Sequence, residues 1–301
     1  MRTKNAMQLK AIISNRAKEG GVPPQLVMQS YLLERLLERI SLSPWRDSVV
    51  VKGGVLISSL MGVDRRSTKD LDATVRGFPL THENAERAFR EIAAVEADDD
   101  FSFEFVRTED IRETDDYPGI RVHLLASYEK MRSPVTVDVT TGDKITPDAV
   151  EYSYPLMFDN RSLSLMAYPL PTTLAEKLET VVSSGIANTR PRDYYDLRML
   201  WLTRRAEVEP DVLRDALAAT SGKRGTLDAM GSYRAVMAEV ASDAVMRDRW
   251  AAYARKYPYV GDMTLAGTCE TVVAIMEALT GRRALLSSYC AILSNQSLRN
   301  M

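Results

Sequence analysis

Two aspartates one residue apart, Asp70 and Asp72, follow a β-branched run, a Gly-Gly turn and a short apolar segment, and this succession constrains the fold most. Val49-Val50-Val51 reads as a strand ending near residue 52, and Gly53-Gly54 as the turn that closes it. Residues 54–61, with Leu56, Ile57 and Leu60, read as a short helix, and residues 70–76 as a second strand. If Leu71 points into the core, Asp70 and Asp72 point together to the opposite face. Two carboxylates on one face repel each other and call for a cation. Magnesium suits them, because it takes oxygen ligands and shares them with substrate phosphates. A Gly-Gly turn upstream lets backbone approach a phosphate closely. An Asp-x-Asp pair by itself is more often a solvated turn or a strand edge. The preceding strand–turn–helix and the spacing Arg66-x-Thr68-x-Asp70-x-Asp72 are what give this pair weight.

A third carboxylate joins the argument through a different pattern. Residues 134–141, Pro-Val-Thr-Val-Asp-Val-Thr-Thr, alternate strictly, with Val135, Val137 and Val139 on one face and Thr136, Asp138 and Thr140 on the other. Asp138 is thus a carboxylate on the polar face of a core-forming strand, which Gly142-Asp143 closes as a turn. If that strand lies beside the one carrying Asp70 and Asp72, the three acids gather near Gly53-Gly54. Three carboxylates can hold two Mg²⁺ ions about 3.5–4 Å apart, which activate an attacking hydroxyl and stabilise the pyrophosphate leaving a nucleoside triphosphate.

The rest of the first half is consistent with an α/β unit. Helices are expected over 5–18, ended by Gly20-Gly21, and over 24–42, opened by Pro23-Pro24. In the second, Leu26, Met28, Tyr31, Leu32, Leu36, Leu37 and Ile40 form an apolar face, read as packing surface. A helix over 81–96, strands beginning at Phe101 and Ile120, and a strand over 162–168 complete this part. Ala97-Asp-Asp-Asp100 reads as a solvated acidic turn. After Pro171 the texture becomes helical, with segments at 172–184, 192–204, 209–219, 233–257 and 264–279. Two domains are expected, residues 1–170 and 171–301.

In the helical part, Lys177 lies near a helix start, where the dipole favours anions rather than cations. Asp193 and Asp196 share a face of the next helix. Lys177 could grip a triphosphate and Asp193 could orient it. On spacing alone, the simpler reading is an inter-helix salt bridge with Asp193 as an N-cap.

Composition narrows the function classes. The chain has 301 residues, 45% of them hydrophobic, enough for a sizeable core. A formal net charge of −2 gives no global positive field for nucleic acid, although arginines are frequent after residue 180. Cys269 and Cys290 have neither metal nor disulfide spacing, which suits a reducing compartment. His82 and His123 sit in no ligand motif, which argues against zinc sites and Ser-His-Asp chemistry. There is no signal peptide or membrane-spanning run, so a cytoplasmic protein without a membrane partner is expected.

Taken in order, Lys52-Gly53-Gly54, Arg66-Ser-Thr68-Lys-Asp70-Leu-Asp72, Val137-Asp138-Val-Thr-Thr-Gly142-Asp143, Leu174-Ala-Glu-Lys177-Leu and Arg192-Asp193-Tyr-Tyr-Asp196-Leu resemble the AbiEii/AbiGii toxin family. That family belongs to the DNA-polymerase-β-type nucleotidyltransferase superfamily. The likeness runs from about residue 50 to 200, and the C-terminal hundred residues carry no matching motif. It implies a nucleotidyltransferase-type mixed sheet with N-terminal helices and a helical C-terminal domain. It also implies the toxin half of a bacterial toxin–antitoxin or abortive-infection operon, with an antitoxin as partner. By the same resemblance Gly53, Gly54 and Arg66 serve the phosphates, Asp70, Asp72 and Asp138 bind metal, and Lys177 and Asp193 complete the nucleotide site. Val55 departs from the small or hydroxyl residue common in relatives. The function expected is Mg²⁺-dependent transfer of nucleotides from an NTP to RNA, the tRNA 3′ end first among acceptors. The alternatives are nucleotidylation of a protein and a non-catalytic NTP-binding regulatory module.

Overall fold

A computed structural model describes residues 2–62, 64–66, 68–111 and 119–280. Cys290 and Ser67 lie outside them. The chain divides into two compact units, Met1–Pro169 and Leu170–Met301.

The first unit is built on one mixed sheet of seven strands. β1 is Val49–Lys52, β2 Leu71–Val75, β3 Ser102–Ile111, β4 Gly119–Tyr128, β5 Met131–Thr141, β6 Val150–Pro155 and β7 Ser162–Ala167. Their order across the sheet is β3-β4-β5-β2-β1-β7-β6. β5 runs parallel to β2 and β7 parallel to β1, while the other neighbours are antiparallel. The alternating pattern of β5 does what period 2 requires: Val135, Val137 and Val139 are buried with Leu71, Ala73, Val122 and Leu124, and the polar residues take the opposite face. β6 is a strand that the sequence reading missed. Its residues Val-Glu-Tyr-Ser-Tyr-Pro lie at the sheet edge, mostly exposed, with only Tyr154 buried.

Among the described residues four helices belong to this unit. α1 (Ala6–Gly20) is capped by Asn5, which accepts the Gln8 N–H, and ends on Gly21 in the left-handed region at φ 63°. α2 (Pro24–Leu42) starts on a proline pair whose fixed φ suits a first turn. α3 (Gly53–Met61) follows β1 directly, and α4 (His82–Ala94) is capped by Thr81. α2 is buried on more than its apolar face. Glu34, Arg35, Glu38 and Arg39 are all buried, with Arg35 held by Glu34 at 2.6 Å and Glu38 at 2.5 Å. Arg39 forks onto Asp99 at 2.7 and 2.9 Å. Asp99, expected in a solvated turn, therefore has a fully buried side chain. A buried guanidinium needs such a partner, because stranding one charge is costly.

The second unit is helical. It comprises α5 (Leu170–Ser184), α6 (Pro191–Arg204), α7 (Pro210–Lys223), α8 (Tyr233–Ser242), α9 (Ala244–Lys256) and a helical stretch over 265–280. The single helix expected over 233–257 is two. Asp243 breaks it, leaving the helical region at φ −68°, ψ 131°, and capping α9 through the Met246 N–H at 2.8 Å. Cys269 is a buried free thiol whose pKa burial pushes up to about 12. None of the helices among the described residues is long and apolar enough to cross a membrane.

Candidate active site

Register places the acids. Asp72 on β2 and Asp138 on β5 are direct partners across a parallel pair, so both side chains leave the same face of the sheet. Asp70 lies just ahead of β2, two residues from Asp72, and its Oδ1 accepts the Thr136 hydroxyl at 2.6 Å. Thr136 is itself two residues ahead of Asp138 on β5. Leu71 between the two β2 acids is fully buried, so the pleat turns Asp70 and Asp72 away from the core.

The row continues through residues on both sides of these acids. Glu109 pairs with Arg121 across β3 and β4, Arg121 with Asp138 across β4 and β5, and Asp72 with Lys52 across β2 and β1. One line of register partners therefore reads Glu109, Arg121, Asp138, Asp72, Lys52. Arg121 holds Asp138 with both arms of its fork, Nε to Oδ1 at 2.7 Å and Nη2 to Oδ2 at 2.8 Å. That hydrogen bond above all raises the Arg121 pKa above its ordinary value, with attraction by Asp138, Asp70 and Glu109 adding to it. Glu109 in turn takes Arg107, and His123 at 2.9 Å. Its pKa falls to about 2 through its hydrogen bonds to Arg107 and His123.

Lys52 closes the other end. Its ammonium lies 2.6 Å from Asp143 Oδ2 and 2.8 Å from the Thr140 hydroxyl. The Tyr168 hydroxyl donates to the same carboxylate at 2.8 Å. Burial pushes the Asp143 carboxyl up. Attraction to Lys52 and the hydrogen bonds from Lys52, Thr140 and Tyr168 overcome that and hold its pKa well below the usual carboxylate range.

The Gly-Gly turn packs directly on the acids. Gly53 has φ +63°, and a Cβ there would stand 2.1 Å from Asp72 Oδ2. Gly54 opens the first turn of α3 and donates its N–H to that same oxygen at 3.2 Å. A Cβ on Gly54 would meet Thr68 Oγ1 at 2.5 Å and lie 3.6 Å from Arg66 Nη2. Both glycines are thus required by close approach, and the buried Arg66 brings its guanidinium beside them. Ser58 does not stand in for the hydroxyl missing at Val55, since its Oγ donates to the Arg66 carbonyl.

In the helical unit, Lys177 on α5 lies 2.6 Å from Asp193 Oδ1 and 2.8 Å from Asp196 Oδ2, both on α6 and fully buried. Arg190 reaches Asp193 Oδ2 at 2.8 Å. Asp193 sits within the first turn of α6, not at its cap, where Arg190 stands. Burial opposes ionisation of Asp193, but Lys177 and Arg190 outweigh it and hold its pKa below the ordinary value.

Asp70, Asp72 and Asp138 supply hard oxygen donors of the kind Mg²⁺ prefers, on one face and in register, so the donor chemistry fits that ion. Among the described residues no three His, Cys, Asp or Glu side chains are grouped closely enough to hold a metal. Asp138 is turned onto Arg121, Asp70 onto Thr136 and Asp72 onto the Gly54 N–H. Sequence reading overlooked Arg121, Glu109 and Lys52 as members of this row, and Asp143 as the partner of Lys52. The signal was the alternation of Arg121 and His123 with Ile120, Val122 and Leu124, which puts them on the polar face of β4.

The sequence model of the family described as nucleotidyl transferase AbiEii toxin, type IV TA system, matches residues 35–275. Among solved structures the chain is similar to JHP933 from Helicobacter pylori, with 14% identity and a TM-score of 0.49 over 90% of this chain and 98% of that one. It is also similar to MenT4, the nucleotidyltransferase toxin Rv2826c from Mycobacterium tuberculosis H37Rv. There the identity is 13% and the TM-score 0.49, over 90% of this chain and 98% of that one. No curated protein matches significantly.

Proposed function

The chain belongs to the AbiEii nucleotidyl transferase toxin family of type IV toxin–antitoxin systems, and from that premise we propose that it adds nucleotides from an NTP to the 3′ end of tRNA, using Mg²⁺. It is a nucleotidyltransferase, and the family implies an NTP substrate and an antitoxin partner. The proposal places the reaction in the cytoplasm, with no membrane partner.

The observation that carries this reading is the pairing of Asp72 with Asp138 across β2 and β5, beside glycines whose missing side chains let the Asp72 carboxylate lie against the start of α3. Asp70, Asp72 and Asp138 would hold Mg²⁺, which when bound would neutralise charge developing on the transferred phosphate and on the attacking oxygen. The positive end of α3 at Gly53-Gly54 suits a triphosphate, which would share the Gly54 N–H with Asp72. Arg66, beside Gly54, offsets phosphate charge. Asp138 positions the terminal hydroxyl and accepts its proton as the 3′ oxygen bonds to the α-phosphorus. The bond from that phosphorus to the bridging oxygen breaks, and pyrophosphate leaves. In the helical unit the proposal gives Lys177 to phosphate charge and Asp193 to orienting Lys177 or the nucleotide.

Protein incubated with each labelled NTP, Mg²⁺ and total tRNA should label the RNA, and Asp138→Ala should abolish both labelling and toxicity without unfolding the chain. Label on protein instead would favour nucleotidylation of a polypeptide. No transfer with any NTP would favour a binding module.

A further inference from the structure

We propose that Arg121 is a movable counter-ion, holding Asp138 when no metal is bound and handing itself to Glu109 when Asp138 takes up a divalent cation. The inference rests on the reading of Asp138 as a metal ligand and adds a positioning residue to it.

The geometry sets up a competition. Arg121 engages both oxygens of Asp138 at 2.7 and 2.8 Å, and a bidentate fork takes up one lone pair on each oxygen, two of the roughly four the carboxylate has. A cation bound by Asp138 draws on the same two oxygens, so guanidinium and metal weaken each other's hold on them. The two positive charges also repel each other if both stay close. Burial does not lock the guanidinium in place, for the Arg121 side chain is 37% exposed.

A destination lies within reach. Glu109 is the register partner of Arg121 on its other side, across β3 and β4, and directly opposed side chains stand close enough to interact. Glu109 already takes Arg107 and lies 2.9 Å from His123, and those hydrogen bonds hold its pKa down at about 2. Glu109, Arg121 and Asp138 thus form an acid–base–acid line on three adjacent strands, in which a change of χ angles moves the base from one acid to the other.

Mn²⁺ binding to the full-length protein, followed by electron paramagnetic resonance, tests this with a readout independent of turnover. Arg121→Gln should bind Mn²⁺ about two- to fivefold tighter, the range expected for loss of one partly exposed competing ion pair. Glu109→Gln should bind it more weakly, because the displaced guanidinium loses its receiving acid. In the Arg121→Gln background Glu109→Gln should change the affinity by less than about twofold, the signature of a coupled pair. In the wild type, Mg²⁺ should move the Arg121 Nε–H resonance, assigned with Arg121→Lys, away from its Asp138-bound position.

Equal or weaker Mn²⁺ affinity in Arg121→Gln overturns the competition. Equal effects of Glu109→Gln in both backgrounds, or an unmoved Nε–H resonance, overturn the transfer. A wild type whose Mn²⁺ binding is untouched by Asp138→Asn overturns the metal-ligand reading itself, which distinguishes that failure from failure of the handover.

Discussion

Alanine at Gly53 should cost distinctly more than alanine at Gly21, although the two glycines share φ +63°. A non-glycine residue in the left-handed region costs about 1–2 kcal/mol, and Gly21 isolates that term, since nothing lies within 4 Å of a Cβ placed there. At Gly53 the same Cβ would stand 2.1 Å from Asp72 Oδ2, 2.7 Å from Cγ and 2.8 Å from Cβ. Turning the carboxylate away relieves the first contact. It leaves the last, because the Asp72 Cβ is fixed to the β2 backbone. The antiparallel β1–β2 pair must then give way. Overpacking of this kind adds about 1–3 kcal/mol, so Gly53→Ala should lose that much beyond Gly21→Ala. For a unit of this size, a gap of that order lowers the melting temperature by about 3–10 °C relative to the control. Differential scanning calorimetry of the two variants, with Mn²⁺ affinity measured alongside, decides the matter. Gly53→Ala should also weaken metal binding, because Asp72 is the residue displaced. Equal melting temperatures with unchanged metal affinity would refute the claim that this glycine exists to admit the Asp72 carboxylate.

Two further perturbations test the charged clusters. Lys177→Met removes the cation that Asp193 and Asp196 share in a buried setting, with Arg190 still on Asp193, and should destabilise the helical unit by about 3–5 kcal/mol at neutral pH. The folded pKa of Asp193 is depressed, so its contribution is complete above the unfolded value near 4 and is lost as pH falls through the lower folded value. Without Lys177 the folded value rises, so the deficit should shrink as pH drops from 7.5 to 5 in urea unfolding; a constant deficit contradicts this. Lys52→Met should move acid unfolding to higher pH, followed by circular dichroism. The sign is the same: Asp143 is depressed by Lys52 against its burial, its stabilisation is present above about pH 4 and disappears on acidification, and removing Lys52 brings that loss nearer neutrality. An unmoved acid midpoint would show that Thr140 and Tyr168 suffice.

The sheet was legible where period 2 was strong. Val135, Val137 and Val139 announce β5, and Val49-Val50-Val51 before two glycines announces β1 and the turn into α3. β6 was not, because an edge strand with four of its six residues exposed shows no apolar repeat. The joint in 233–257 was hidden for a local reason: Asp243 interrupts an otherwise helical composition by capping the helix after it, and a lone aspartate inside a helical window looks the same when it is merely solvated. Buried charge was the least legible of all. Asp99 in an acidic run reads as solvent-facing, and nothing in the spacing of Glu34, Arg35 and Glu38 marks them as buried, since only the partner in space distinguishes a solvated carboxylate from one forked onto arginine.

The same limit explains why the acids of the candidate site were found and their partners were not. Spacing put Asp70, Asp72 and Asp138 on one polar face, because strand parity is a property of each strand alone. Which residue stands opposite Asp138 depends on how β4 is registered against β5, and that register is set by Ile120, Val122 and Leu124 meeting Val139, Val137 and Val135 in the core. The apolar match therefore dictates the polar one. Once those valines and leucines interlock, Arg121 has no choice but to face Asp138, and Glu109 no choice but to face Arg121. A one-residue slip of β4 would bury Arg121 and His123 and expose Ile120, Val122 and Leu124. The alignment of charges across five strands is in this sense a by-product of hydrophobic register. Volume changes at Val122 or Val137 should therefore disturb the Arg121–Asp138 pair from the far side of the sheet.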